Sequence, residues 1–200
     1  MRLPRVYPIV DSAAWVRRLA LLGVRLVQLR IKGQPLALLR AEITAARACC
    51  LAAGVQLIVN DHWQVALAAG CDFVHLGQGD LDGADLAALR RAGVRFGIST
   101  HDEAELERAL GLAPHYVALG PIYPTLLKVM PWSPQGLERI GAWKRRVGAL
   151  PLVAIGGLTL ERLPAVFAAG ADVAAVVTDI VRAAHPEVRV QQWLRVAAAA

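Results

Sequence analysis

The chain has 200 residues, 56% of them hydrophobic and 19% charged, with a formal net charge of +6. A chain this apolar is not disordered, and its length suits one domain over residues 1–200 with a single sizeable core. The apolar residues are mainly Ala, Leu and Val in short segments, none near the roughly 18 uninterrupted apolar residues of a membrane span, so no membrane partner is expected.

The opening segment, MRLPRVYPIVD, meets Pro8 and Asp11 before an apolar signal region can form. It therefore predicts no secretory leader and a cytoplasmic protein. The same segment supplies the first β-rich run, residues 6–10, and Asp11 and Ser12 follow as N-caps of a helix reaching Leu22. Next come a strand over 24–30, a helix over 35–53 and a strand over 56–59. The pattern repeats as helix 62–69, strand 73–76, helix 82–92 and strand 94–98, then a helix from after Thr100 to Leu110 and a strand over 116–119. A Pro-rich stretch over 120–134 is the longest irregular segment, a length that usually serves function. Helix 134–147, strand 152–155, helix 160–169, strand 173–177 and a last helix complete the chain. Gly23, Gly54, Gly70, Gly93 and Gly170, each just ahead of a strand, read as helix C-caps.

Several of these strands are continuous runs of Val, Ile and Leu rather than alternating, as expected of parallel strands covered on both faces. About eight strand-helix units predict an α/β fold, a (β/α)₈ barrel of the TIM type, with a doubly wound open sheet as the alternative. Cys49, Cys50 and Cys71 lack CxxC spacing and read as reduced packing residues. The basic balance, pI about 9.8, is scattered apart from the runs Arg17-Arg18, Arg90-Arg91 and Lys144-Arg145-Arg146, with no aromatic interleaving. No nucleic-acid partner is expected, and the charge suits small phosphorylated substrates. Trp15, Trp143 and Trp193 are read as exposed helix positions that would allow a homodimer as well as packing between helices.

Chemistry in such barrels gathers at the C-terminal ends of the strands. There the second strand carries Gln28, Arg30 and Lys32 on one face by its period of two. Asp61 and Asp80 follow the third and fourth strands, two hard oxygen ligands that suit Mg²⁺ shared with phosphate oxygens, although either could instead cap a helix. Asn60 ends the third strand. Ser99 ends the fifth and is equally suited to hold an anion or to cap a helix, while His75 reads as a core histidine and His101 as a helix-terminus residue. Lys128 is the one cation of the long loop. Gly156-Gly157 after the seventh strand and Thr178 after the eighth form the customary phosphate site of a barrel.

Taken in order, VQLRIK, LIVNDHW, VHLGQGDL, FGISTHD, VALGPIYPTLLK, PWSPQGLE, VAIGGL and AAVVT resemble the thiamine-phosphate synthase family over about residues 7–180. The resemblance implies a (β/α)₈ transferase that joins hydroxymethylpyrimidine diphosphate to thiazole phosphate and releases pyrophosphate. It further implies that Gln28, Arg30, Lys32, Asn60, Ser99 and Lys128 hold the pyrimidine diphosphate, with Arg30, Lys32, Ser99 and Lys128 acting in catalysis and Asp61 and Asp80 binding Mg²⁺. Thr125, Leu127, Gly157, Val177 and Thr178 would then face the thiazole phosphate. Leu127 stands where the family's second threonine belongs, and Thr178 where serine is common. Two rivals are a thiazole tautomerase-like relative and a phosphate-binding barrel without catalysis; neither needs the Arg30, Lys32, Asp61, Asp80 and Lys128 ensemble.

Overall fold

The computed structural model describes residues 2–125 and 132–199. Eight strands close into a barrel in chain order: β1 Val6–Val10, β2 Leu26–Leu29, β3 Gln56–Asn60, β4 Phe73–Leu76, β5 Arg95–Thr100, β6 Tyr116–Leu119, β7 Leu152–Ala154 and β8 Val173–Val176. Every neighbouring pair is parallel, including β1 with β8, so no edge is left and the open-sheet alternative is excluded. Helices α1 Ala13–Leu21, α2 Leu36–Ala53, α3 Trp63–Ala68, α4 Leu86–Arg91, α5 Glu103–Gly111, α6 Gly136–Val147 and α7 Leu163–Ala168 cover the outside, with α8 Thr178–Val181 and α9 Pro186–Ala199 after β8. Among the described residues, no helix is long and apolar enough to cross a membrane.

Strand parity sorts the apolar residues into two cores. Val6, Val10, Val27, Leu29, Val74, Leu76, Phe96 and Ile98 face outward and pack with helix residues such as Ile43, Leu106 and Trp143. Their alternates Tyr7, Ile9, Leu26, Ile58, Phe73, Tyr116, Val153 and Val173 fill the barrel interior. Burial on both faces is why the strands read as apolar runs.

Most boundaries fall where the local chemistry puts them. Ser12 Oγ accepts from the Trp15 N–H at 3.4 Å, and Gly54 closes α2 in the left-handed region at φ 63°. The expected helix over 82–92 is in fact a 3₁₀ turn, Gln78–Gly83, followed by α4. Asp80 accepts from the Gly77 N–H at 3.0 Å within the first, and Asp85 caps the second by accepting from the Ala88 N–H at 2.8 Å. The last helix also divides, because Pro186 opens a new one.

Trp143 and Trp193 are not exposed. They are 1% and 0% accessible, and their indole N–H groups donate to Thr100 Oγ1 at 3.0 Å and to Asp179 Oδ2 at 2.7 Å. An indole satisfied in this way belongs to the shell between helices and barrel rather than to a face for a second subunit. Trp15 is half-buried. The three cysteines are free thiols, Cys50 and Cys71 buried and Cys49 half-buried.

One interior position has no side chain. Gly97 pairs with His75 on one side and Tyr116 on the other, and a Cβ there would lie 2.1 Å from the Tyr116 ring. Gly97→Ala is therefore expected to destabilise the protein by about 1–3 kcal/mol through overpacking. Urea unfolding of the variant beside the parent checks this, and an unchanged midpoint would show that the ring is free to move aside.

Candidate active site

The interior row above the apolar floor changes character around the barrel. On β2, β3, β4 and β5 the inward positions are Gln28, Asn60, His75 and Ser99. On β6 the matching position is Ala118, and beyond β7 and β8 stand Ile155 and Val177. Polar groups buried on one half therefore face apolar ones on the other, across a cavity of about 700 Å³ at the C-terminal ends of the strands.

Each site residue expected from the sequence and described in the structure lines this cavity. Arg30 and Lys32 lie just beyond β2 with their side chains exposed, separated by buried Ile31, so the alternation continues past the strand. Gln28 is only 3% accessible. Asn60 and Asp61 close β3, Asp80 follows β4 and Ser99 lies in β5. Across the opening are Thr125, Gly157, Val177 and Thr178. Leu127 and Lys128 lie outside the described residues.

Asp61 is not a helix cap. Its backbone is left-handed at φ 62°, unusual for a residue other than glycine, and its carboxylate meets the Lys32 ammonium. It also hydrogen-bonds the Asp80 carboxyl. Burial pushes the Asp61 carboxyl up, but Lys32 and the bond to Asp80 outweigh it and hold the group below its usual range. Asp80 is raised by burial and by the charge on Asp61. The two carboxyls thus face one another in unlike environments, an arrangement that a divalent cation would relieve. Among the described residues no three His, Cys, Asp or Glu side chains converge, so a cation here would draw two carboxylates from the protein and the rest of its shell from water and phosphate. That donor set fits Mg²⁺.

Gly156 and Gly157 have φ of 98° and 64°, and a Cβ on either would strike the loop after β6, at 2.6 Å from Pro121 Cα and 2.5 Å from Pro124 O. Only glycine allows both that packing and a ligand's approach to the backbone.

Ser99 does not cap α5 either. Asp102 does, accepting from the Glu105 N–H at 2.9 Å. The Ser99 hydroxyl instead meets His75 Nε2 at 2.8 Å, and His75 Nδ1 meets the Tyr116 hydroxyl at 2.7 Å. His75 is a satisfied core histidine, as expected, but one placed at the wall of the site. The sequence reading missed Tyr7, Gln78 and Tyr116. Gln78 donates to the Ser99 carbonyl at 2.8 Å, and Tyr7 meets Gln28 at 2.8 Å. The signal for Tyr7 and Tyr116 was the same strand parity that found Gln28. His101 lines the cavity, paired with Glu105 at 2.7 Å and beside the Trp132 ring at 4.8 Å between centroids.

A profile of the family described as thiamine monophosphate synthase matches residues 6–180. The chain belongs to the thiamine monophosphate synthase family. It is 63% identical to a thiamine-phosphate synthase of Rhizobium etli over 97% of this chain and 95% of the relative. With a Neisseria meningitidis protein of the same name it shares 45% identity over 94% of this chain and 92% of that one. The thiamine phosphate pyrophosphorylase structure from Pyrococcus furiosus superposes with a TM-score of 0.87 over 98% of this chain and 96% of that one; at 23% identity, this likeness speaks to the fold. Against this family, the departure at Leu127 lies outside the described residues, whereas Thr178 keeps a hydroxyl at the cavity wall.

Burial depresses the His75 pKa from 6.5 to about 4, with Asp61 raising it and Arg30 lowering it. Between those values the unfolded chain binds the proton and the folded one does not. The stability linked to His75 is thus complete above pH 6.5 and falls by about 3 kcal/mol as the pH drops toward 4. Unfolding midpoints of wild type and His75→Gln over that range check the sign: the variant should show the shallower loss.

Proposed function

We propose that the protein couples hydroxymethylpyrimidine diphosphate with thiazole phosphate, giving thiamine phosphate and pyrophosphate with Mg²⁺ as cofactor. The observation that supports this reading is the division of one cavity into two walls whose groups suit anions. Arg30, Lys32 and the Asp61–Asp80 pair stand on one side, Gly157 and Thr178 on the other, with apolar residues between. A tautomerase or a passive phosphate binder needs one such wall. Family membership and 63% identity to a synthase support the same choice.

The chemistry follows from charge. The aminopyrimidine is electron-rich, so its exocyclic C–O bond can break with the electron pair leaving on diphosphate, and the resulting cation is stabilised by the ring. The thiazole nitrogen then forms the new C–N bond. No side-chain nucleophile is needed. Arg30, Lys32 and Lys128 balance the charge on the departing diphosphate, and Ser99 gives it a hydrogen bond. Gln28 and Asn60, buried on the floor of that wall, orient the pyrimidine. Thr125, Leu127, Gly157, Val177 and Thr178 hold the thiazole phosphate in line for capture. Asp61 and Asp80 would hold Mg²⁺, which when bound supplies further positive charge to the leaving group. The substrates are small phosphorylated molecules, and the cytoplasm is where they would be met.

Purified protein mixed with both substrates should release thiamine phosphate and pyrophosphate in equal amounts, only with Mg²⁺ present. Asp61→Ala and Asp80→Ala should each lower kcat by about 10²-fold or more. Full Mg²⁺-dependent turnover in both variants would remove the metal assignment, and absence of product from folded protein would remove the synthase reading.

A further inference from the structure

Five side chains from five strands form one unbroken line of hydrogen bonds across the barrel interior. Gln28 Nε2 donates to the Tyr7 hydroxyl at 2.8 Å, Tyr7 meets Tyr116 at 3.0 Å, Tyr116 meets His75 Nδ1 at 2.7 Å, and His75 Nε2 meets Ser99 Oγ at 2.8 Å. Tyr7 and Tyr116 are buried to 1% and 0%, and the Tyr116 ring stacks on His75 with centroids 5.6 Å apart and planes 14° apart. Ser99 lines the cavity; Tyr116 does not.

The line has a direction because each hydroxyl carries one proton and a neutral imidazole carries one N–H. Gln28 Nε2 can only donate, so the Tyr7 hydroxyl is the acceptor of that bond and its own proton points to Tyr116. Tyr116, already accepting, must direct its proton at His75 Nδ1. His75 is then the Nε2–H tautomer, and that N–H donates to Ser99 Oγ. The Ser99 oxygen accepts, and its single proton is left to point elsewhere, toward the cavity.

We propose that Tyr7, Tyr116 and His75 are positioning residues that fix the Ser99 hydroxyl as a hydrogen-bond donor aimed into the cavity, where the leaving diphosphate accepts it. This rests on the synthase reading for its ligand but not for its polarity. The alternative orientation is chemically distinct. With the Gln28 amide reversed, every proton in the line would reverse, His75 would be the Nδ1–H tautomer, and Ser99 would spend its proton on Nε2 and have none to offer. A hydroxyl preset as a donor needs no reorientation when negative charge develops on the diphosphate.

The test reads the tautomer directly. Long-range ¹H–¹⁵N spectra of histidine-labelled protein without substrate, with the His75 signals assigned by their loss in His75→Gln, should show the Nε2–H form. Tyr116→Phe, which keeps the ring and removes the hydroxyl, should yield a mixture of tautomers. It should also lower kcat about tenfold, as expected for loss of one well-aligned donor, while KM for the pyrimidine diphosphate changes less than about twofold. Tyr7→Phe, one bond further away, should shift the tautomer ratio in the same sense. In a double-mutant cycle, Ser99→Ala should make Tyr116→Phe nearly silent, because both act on one bond. The Nδ1–H tautomer in wild type, or an unchanged tautomer and kcat in Tyr116→Phe, would overturn the proposal. An Nε2–H ring in a protein that makes no product would keep the relay and overturn its ligand, a failure of the synthase reading instead.

Discussion

The missing side chain at Gly97 decides what the barrel interior can hold. Barrels of eight strands are normally filled by branched aliphatic residues in layers, which leaves no room for a phenol lying across the axis. Here β5 contributes only a hydrogen at that level, and the Tyr116 ring occupies the vacated volume. Because His75 is the register partner of Gly97 on its other side, the same gap lets the two rings stack. Any larger residue at 97 would separate Tyr116 from His75 and leave buried hydroxyl and imidazole groups without partners, an expensive outcome in a dry interior.

Above that level, strand parity does the rest. A closed parallel barrel gives each strand one inward row, and the residues in the upper part of that row become the cavity floor. Gln28, Asn60, His75 and Ser99 come from consecutive strands, so their polarity forms a continuous arc, completed outside the strands by Arg30, Lys32, Asp61 and Asp80. The opposite arc is apolar up to Gly157 and Thr178. The two aromatic substrates of the proposed reaction, each with its charged end at one wall, would suit such a division, since their rings could lie over apolar surface while their phosphates reach separate donors.

The eight-strand alternation and the strand-end polar residues Gln28, Arg30, Lys32, Asn60, Asp61, Asp80 and Ser99 were legible in the sequence because both depend on local periods and on position relative to strand ends. What was not legible depended on contacts between distant segments. Trp143 and Trp193 looked exposed because a helix does not announce which neighbour covers it; only the closed barrel brings Thr100 of β5 to the Trp143 indole. The break between the 3₁₀ turn and α4 turned on whether Asp80 or Asp85 would cap, and each caps its own segment. His75 was readable as a buried histidine, yet its partners lie 24 and 41 residues away and no pattern in its own segment points to them.

The resting site is held by its own charges. Lys32 pairs with Asp61, and Asp61 in turn faces Asp80, whose carboxyl is raised by burial and by the charge on Asp61, so the charged groups of the rim are already set against one another. The Lys32 side chain is 54% exposed while that of Asp61 is only 14% exposed, so the ammonium is the member of the pair that a second anion can reach from the solvent side. In the proposed reaction a diphosphate would meet Lys32 on that exposed side, and Asp61 with Asp80 would hold the metal. The buried half of the wall behaves differently. Gln28, Tyr7, Tyr116, His75 and Ser99 are each satisfied by the next, and none can turn without orphaning a neighbour. A charged, solvent-facing rim over a floor of mutually satisfied groups is what the proposed reaction asks for: the rim would meet a multiply charged substrate while the hydrogen-bonded line beneath it would hold the Ser99 hydroxyl in one orientation.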